Sequence, residues 1–229
     1  MARMLLIAMA LVMATLSGQA SAQTPPDATE LAAYRGLHAA AAAGDVAAIR
    51  SLAKAGEKLD ARDGNGRTSL HVAAFRGQAE AIRALIAAGA NPGLFDNQRY
   101  DAVTIVAVTD DVPALKALLA SGASAKLTTS RYDGTALIAA AHLGHDGIVR
   151  ELIAAGAPLD HVNNLGWTAL IEAVILGDGG KRHVETVRAL LAAGANRSLA
   201  DAQGVTPLRH ARARGYAPMV ALLEGGAAR

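Results

Sequence analysis

His142 and His145 stand three residues apart, close to one helical turn, and two imidazoles at that spacing can share a metal ion. A third ligand is not evident along the chain, although His183 or an acid could approach them in space. Glu172 is an acid close to Trp167, and together with the two histidines it marks one region where a metal, a small ligand or an enzymatic step could be placed. The other candidate chemistries are weaker. Asp110 and Asp111 are adjacent carboxylates, but such a pair chelates poorly alone and no calcium-loop spacing surrounds it. Gly179-Gly180-Lys181 resembles part of a phosphate-binding loop without the strand and spacing that such a loop needs. No Ser-His-Asp order and no Gly-x-Ser-x-Gly elbow is present, and the chain has no cysteine, which removes thiol catalysis, disulfides and Cys-containing zinc patterns. The expectation is therefore no catalytic centre, no metal and no cofactor, with the region of His142, His145 and Glu172 as the alternative.

The elements that position these residues are short and alanine-rich. Of 229 residues, 52% are hydrophobic but only 3% aromatic, as expected of helices packed through small side chains. The net charge of +2 is spread along the chain, whereas a nucleic-acid partner needs a concentrated basic stripe, so no nucleic acid is expected. Arg3, the apolar residues 4–16 and Ala20-Ser21-Ala22 predict a signal peptide over residues 1–22, cleaved after Ala22. The apolar run is shorter than the roughly 20 residues of a spanning helix, so no membrane attachment is expected after cleavage. Residues 23–36 form a lead-in and the start of a cap, where Asp27 or Thr29 can cap a first helix.

From residue 37 onward the chain repeats. Gly89-Ala90, Gly122-Ala123, Gly156-Ala157 and Gly194-Ala195 follow at intervals of 33, 34 and 38 residues. Thr68-Ser69-Leu70-His71-Val72-Ala73-Ala74, Thr135-Ala136-Leu137, Thr168-Ala169-Leu170 and Thr206-Pro207-Leu208 open successive units with a hydroxyl able to cap a helix. Gly77, Gly144, Gly177 and Gly215 are expected to end the first helix of a unit in the left-handed region. The third unit departs from the pattern, with Asp101 predicted to cap its first helix and Asp111 its second, Pro113 lying in the first turn. About five residues around Asp178-Gly179-Gly180-Lys181-Arg182 are inserted in the fifth unit, read as a longer turn between its helices.

These motifs resemble the ankyrin repeat, and the leader adds a likeness to exported bacterial ankyrin-repeat proteins. The resemblance covers nearly all of residues 37–226 and implies an all-α ankyrin-repeat solenoid of about six helix-turn-helix units joined by β-hairpin-like loops. The units fall at about 37–60, 61–93, 94–126, 127–160, 161–198 and 199–229 within a domain over 37–229. It further implies that His38 and His71 tie helix and hairpin backbones together, and that His145 belongs to a Gly-His turn.

In such a stack the hairpin tips and first helices make a concave strip that holds another protein. The positions expected there are Phe75, Arg76, Phe95, Arg99, Tyr100, Arg131, Tyr132, His161, Asn163, Trp167 and Glu172, with Arg67 and His142 beside them. Aromatic and arginine side chains carry much of the energy at protein interfaces. Tyr100, Tyr132 and Trp167 can equally stiffen the stack by packing hairpin on hairpin. The expected function is a non-enzymatic, monomeric protein-binding module, periplasmic or secreted, with a stress-protective role implied by the resemblance and a secreted effector acting on host proteins as an alternative.

Overall fold

The computed structural model describes residues 23–225; the expected signal peptide over residues 1–22 lies outside the described residues. Thirteen helices follow one another among them: α1 (Ala28–Ala33), then the pairs α2 (Gly36–Ala43) and α3 (Val46–Lys54), α4 (Ser69–Phe75) and α5 (Ala79–Ala87), and α6 (Ala102–Val108) and α7 (Val112–Ala120). The pairs α8 (Ala136–Leu143) and α9 (Asp146–Ala154), α10 (Ala169–Ile175) and α11 (Lys181–Ala192), and α12 (Pro207–Arg214) and α13 (Ala217–Leu223) complete six units. First helices pack on first helices and second on second, so the fold is a solenoid with one continuous core.

Most first helices, and the second helix of the third unit, begin where a cap residue can satisfy a free backbone N–H. Thr135, Thr168 and Thr206 accept from the N–H groups of Ile138, Ile171 and Arg209, and Asp101 and Asp111 accept from Thr104 and Ala114 as the sequence predicts. Asp27 caps α1 and forms a capping box with Glu30. Leu37, Leu70, Leu137 and Leu170 are buried in the core, whereas Leu208 in the sixth unit is half-buried and packs against it. Ala73, Ala140, Ala141 and Ala173 are fully buried between neighbouring first helices, where small side chains allow close approach.

Three local expectations are corrected. Gly144 and Gly215 end α8 and α12 in the left-handed conformation, but Gly177 does not adopt positive φ; Gly179 does. Gly177 is required instead by space, since a Cβ there would stand 2.2 Å from the Ala173 carbonyl oxygen and 2.8 Å from the His183 ring. The inserted residues lengthen the second helix as well as the turn, α11 having 12 residues where α9 has 9. Arg67, expected at the surface, is 1% exposed. The lead-in and α1 cover it: Arg67 donates to Asp63 (2.7 Å), to Glu30 (2.5 Å) and to the carbonyl of Thr24 (3.2 Å).

Candidate functional site

The loops between units are shaped by one side chain each. Asp63, Asp96, Asn163 and Asp201 turn back to accept from the backbone N–H groups two and four residues ahead, at 2.8 to 3.0 Å. In the fourth unit Ser130 takes this place with a single bond to the Tyr132 N–H, and the loop there becomes a short antiparallel pair, β1 (Thr128–Thr129) and β2 (Gly134–Thr135). Neighbouring tips are joined through the backbone, from Asn97 to Asn65, Ser130 to Arg99 and Asn164 to Tyr132. The hairpins are thus one connected wall beside the row of first helices.

Between that wall and the helices lies a groove of about 570 Å³. Tyr100, Tyr132 and Trp167 come from the hairpins, Thr104 and Val108 from α6, Ile138, Ala139, His142 and Leu143 from α8, and Glu172 and Ile175 from α10; Arg214 and Tyr216 close the far end. Gln23 of the lead-in also lines it, with both polar atoms of its amide buried and without a hydrogen-bond partner among the described residues. The floor is largely aliphatic and the rim aromatic, the mixture found in sites that take apolar side chains and orient them with a few polar groups.

The polar groups at its centre occupy unusual positions. Four residues after the helix cap the units carry Val72, Ile105, Ala139, Glu172 and His210; seven after it they carry Phe75, Val108, His142, Ile175 and Ala213. Glu172 and His142 therefore stand on adjacent inner helices at positions where the second and third units place apolar side chains. Glu172 is 5% exposed, accepts a 2.8 Å hydrogen bond at Oε1 from Asn163 Nδ2, and has His142 Nδ1 3.4 Å from Oε2. The sixth unit pairs the hairpin and helix positions that Asn163 and Glu172 occupy in the fifth, Asp201 on the hairpin facing His210 on the helix at 2.7 Å. There burial raises the Asp201 carboxyl, but bonds from Val205 N–H and His210 outweigh it and hold the carboxyl below its ordinary value.

Of the residues expected on the binding strip, Tyr100, Tyr132, Asn163, Trp167 and Glu172 meet in this groove. The remainder lie elsewhere. Phe75 packs half-buried on the core and Arg76 is exposed; the Phe95 carbonyl accepts from Arg62, Arg99 pairs with Asp133 at 3.1 Å, and the Arg131 guanidinium sits over the Tyr132 ring. His161 reaches the Asp133 carbonyl at 2.6 Å. Sequence reasoning missed the groove floor, Ile138, Leu143 and Ile175, although their place on the inner face was implied by the helix register. Tyr100 is more deeply buried than a contact residue on an open rim, and burial pushes its phenol up.

The alternative histidine site separates. His142 meets Glu172, but His145 turns to the Ala107 carbonyl (2.9 Å) and lies 4.0 Å from Asp110. His183 binds the carbonyl of His142 and the carboxylate of Asp178. Among the described residues no three His, Asp or Glu side chains gather as a metal site would require. The acidic pair is also occupied, Asp110 by Arg182 at 2.7 Å and Asp111 by its capping role. His38 and His71 do tie units together, through the carbonyls of Arg67 and Tyr100. His71 Nδ1 accepts from both the N–H and the hydroxyl of Thr68 while Nε2 donates to Tyr100, which assigns the neutral tautomer protonated at Nε2.

Comparison with known proteins gives a consistent picture. Two family models match, "Ankyrin repeats (many copies)" over residues 37–86 and "Ankyrin repeats (3 copies)" over residues 103–196. The crystal structure of an ankyrin repeat domain from Acinetobacter baumannii AYE is 45% identical with a TM-score of 0.76, the alignment covering 83% of this chain and 96% of that one. The ankyrin repeat protein EF0377 is 30% identical over 84% of this chain and 98% of its own, with a TM-score of 0.77. Among curated sequences, the ankyrin repeat protein YahD of Escherichia coli (strain K12) is 41% identical over 95 residues, which are 41% of this chain and 47% of YahD. The match thus spans about half the length of that curated relative.

Proposed function

The chain belongs to the ankyrin repeat family, and from that premise we propose that it is a non-enzymatic binding module that holds a protein partner in the groove between its hairpins and inner helices. The observation that supports this reading is the groove itself, a preformed apolar channel with Tyr132 and Trp167 on its rim and residues of four successive units along it. Repeat stacks use such concave surfaces to hold partners, because each unit adds contact area without disturbing its neighbours. The histidines and acids are engaged in caps, hairpin ties and ion pairs, which supports a binding role over a catalytic one.

The module works as a monomer outside the cytoplasm, a reading supported by Arg3, the apolar residues 4–16 and the small residues before Gln23. A stress-protective role rests only on the resemblance to exported bacterial relatives. Capture from a periplasmic extract, comparing the mature chain with a Trp167→Ala variant of unchanged melting temperature, tests the docking surface. A partner retained by the first and lost by the second supports the groove; equal capture by both sinks it.

A further inference from the structure

Glu172 is hard to explain by packing. It is a carboxylic acid 5% exposed, set at a position that the second and third units fill with Val72 and Ile105, and Asn163 is its single hydrogen-bond donor among the described residues. Its second oxygen, Oε2, has His142 Nδ1 at 3.4 Å and no closer donor among the described residues. A buried carboxylate ordinarily collects several donors, because leaving the charge under-satisfied in an apolar setting is costly. Ile138, Ile175 and Trp167 line the same groove. Asn163 also does double duty, its Oδ1 shaping the hairpin and its Nδ2 holding Glu172, so the carboxylate is fixed in place.

We propose that Glu172 is the anchor for a lysine side chain projecting from an extended segment of the protein partner. The proposal deepens the docking function and rests on that reading. Glu172 is the single carboxylate among the described residues that line the groove, and the one guanidinium there, that of Arg214, is already held by the Ile175 carbonyl at 2.7 Å. The centre of the groove thus presents one fixed carboxylate among aliphatic side chains, with the Arg214 cation at the far end. A lysine fits it twice over, since its four-carbon stem lies along aliphatic surface while its ammonium delivers a donor to Oε2. Trp167 on the rim adds an aromatic face of the kind that attracts a cation. Arginine fits less well, because a bidentate fork needs both carboxylate oxygens open and Asn163 engages one of them.

The test uses fluorescently labelled peptides with the full chain: acetyl-Ala-Leu-Lys-Leu-Ala-amide, and the same peptide with norleucine, acetyl-lysine or arginine at the centre. Binding is read by anisotropy and by amide chemical-shift changes in α8 and α10. The lysine peptide is expected to bind at least tenfold more tightly than the norleucine and acetyl-lysine peptides. Glu172→Gln, which keeps the shape and the Asn163 contact, should abolish that preference without changing the melting temperature. If lysine and norleucine peptides shift the same groove amides with equal affinity, the docking reading stands and the lysine anchor is wrong. If arginine is preferred, the anchor takes a guanidinium and the lysine assignment fails. If no peptide perturbs α8 or α10 at millimolar concentration, both readings fall.

Discussion

Replacing Arg67 with Met should release the N-terminal cap of the stack. Helix α1 has no fully buried residue, so apolar packing contributes little to holding it. It is held by polar contacts that converge on the Arg67 guanidinium, with Tyr34 adding a 2.7 Å hydrogen bond to Asp63 and Asn65 a 2.6 Å bond to Glu30. Burial disfavours the charge on Arg67, but the bonds to Asp63 and Glu30 outweigh it and raise its pKa. Burial likewise raises the Asp63 carboxyl, and the hydrogen bonds from Tyr34 and Arg67 overcome this and hold it below the ordinary range.

Removing one partner of a fully buried ion pair costs about 3–5 kcal/mol. Here the surviving carboxylates have side chains 11% and 30% exposed and keep other donors, so water can reach them in part. That places Arg67→Met near about 2–3 kcal/mol, below the fully buried case. For a domain of this length the melting temperature should fall by roughly 4–12 °C. Urea unfolding followed by circular dichroism measures the loss, and hydrogen exchange locates it. A loss under about 1 kcal/mol, with the amides of α1 still protected, would refute the argument that the guanidinium holds the cap.

Other consequences are simpler to state. Burial lowers the pKa of His71, so on acidification the unfolded chain takes up a proton near pH 6.5 before the folded one does; stability should be intact above that value and decline as pH falls toward the depressed folded value. Urea midpoints at pH 7.5 and 5.5 should show a drop whose His71 share disappears in His71→Gln, and equal slopes in the two proteins would contradict it. Thr186 is fully buried in α11 with its hydroxyl unpartnered, so Thr186→Val should stabilise by about 1 kcal/mol, and a lowered urea midpoint would count against this. Gly177→Ala forces a Cβ onto the Ala173 carbonyl and should cost about 1–3 kcal/mol, measured by thermal unfolding, with an unchanged transition showing that the loop yields freely.

What could be read from the sequence were features that the backbone demands locally. A helix start needs an acceptor for its free N–H groups, so Thr135, Thr168, Asp101 and Asp111 announced their helices even where the repeat pattern was broken. Arg67 could not be placed in the same way, because Glu30 lies 37 residues before it in a helix outside the repeat pattern. Gly177 carried the signal of a left-handed helix end, but the insertion moved that conformation to Gly179 and left Gly177 to make room for the His183 ring.

The groove was legible in its rim and not in its floor. Tyr132 and Trp167 stand out in a chain with few aromatics, whereas Ile138 and Ile175 look like any core aliphatic until the curvature of the stack leaves one face of each inner helix uncovered. Glu172 was visible as an oddity, and its meaning comes from register. Counted from the helix cap, the same place holds Val72, Ile105 and Ala139 in other units, and only in the fifth and sixth do polar residues enter it together with a complementary hairpin side chain, Asn163 for Glu172 and Asp201 for His210. In the sixth unit the pair satisfies itself, carboxylate to imidazole at 2.7 Å; in the fifth, an amide supplies one donor to Oε1, with His142 Nδ1 3.4 Å from Oε2. A repeat scaffold makes this difference readable, because the sixth unit is the internal control for the fifth: hairpin and helix side chains close on each other in both, as an ion pair in the sixth and through a neutral amide in the fifth.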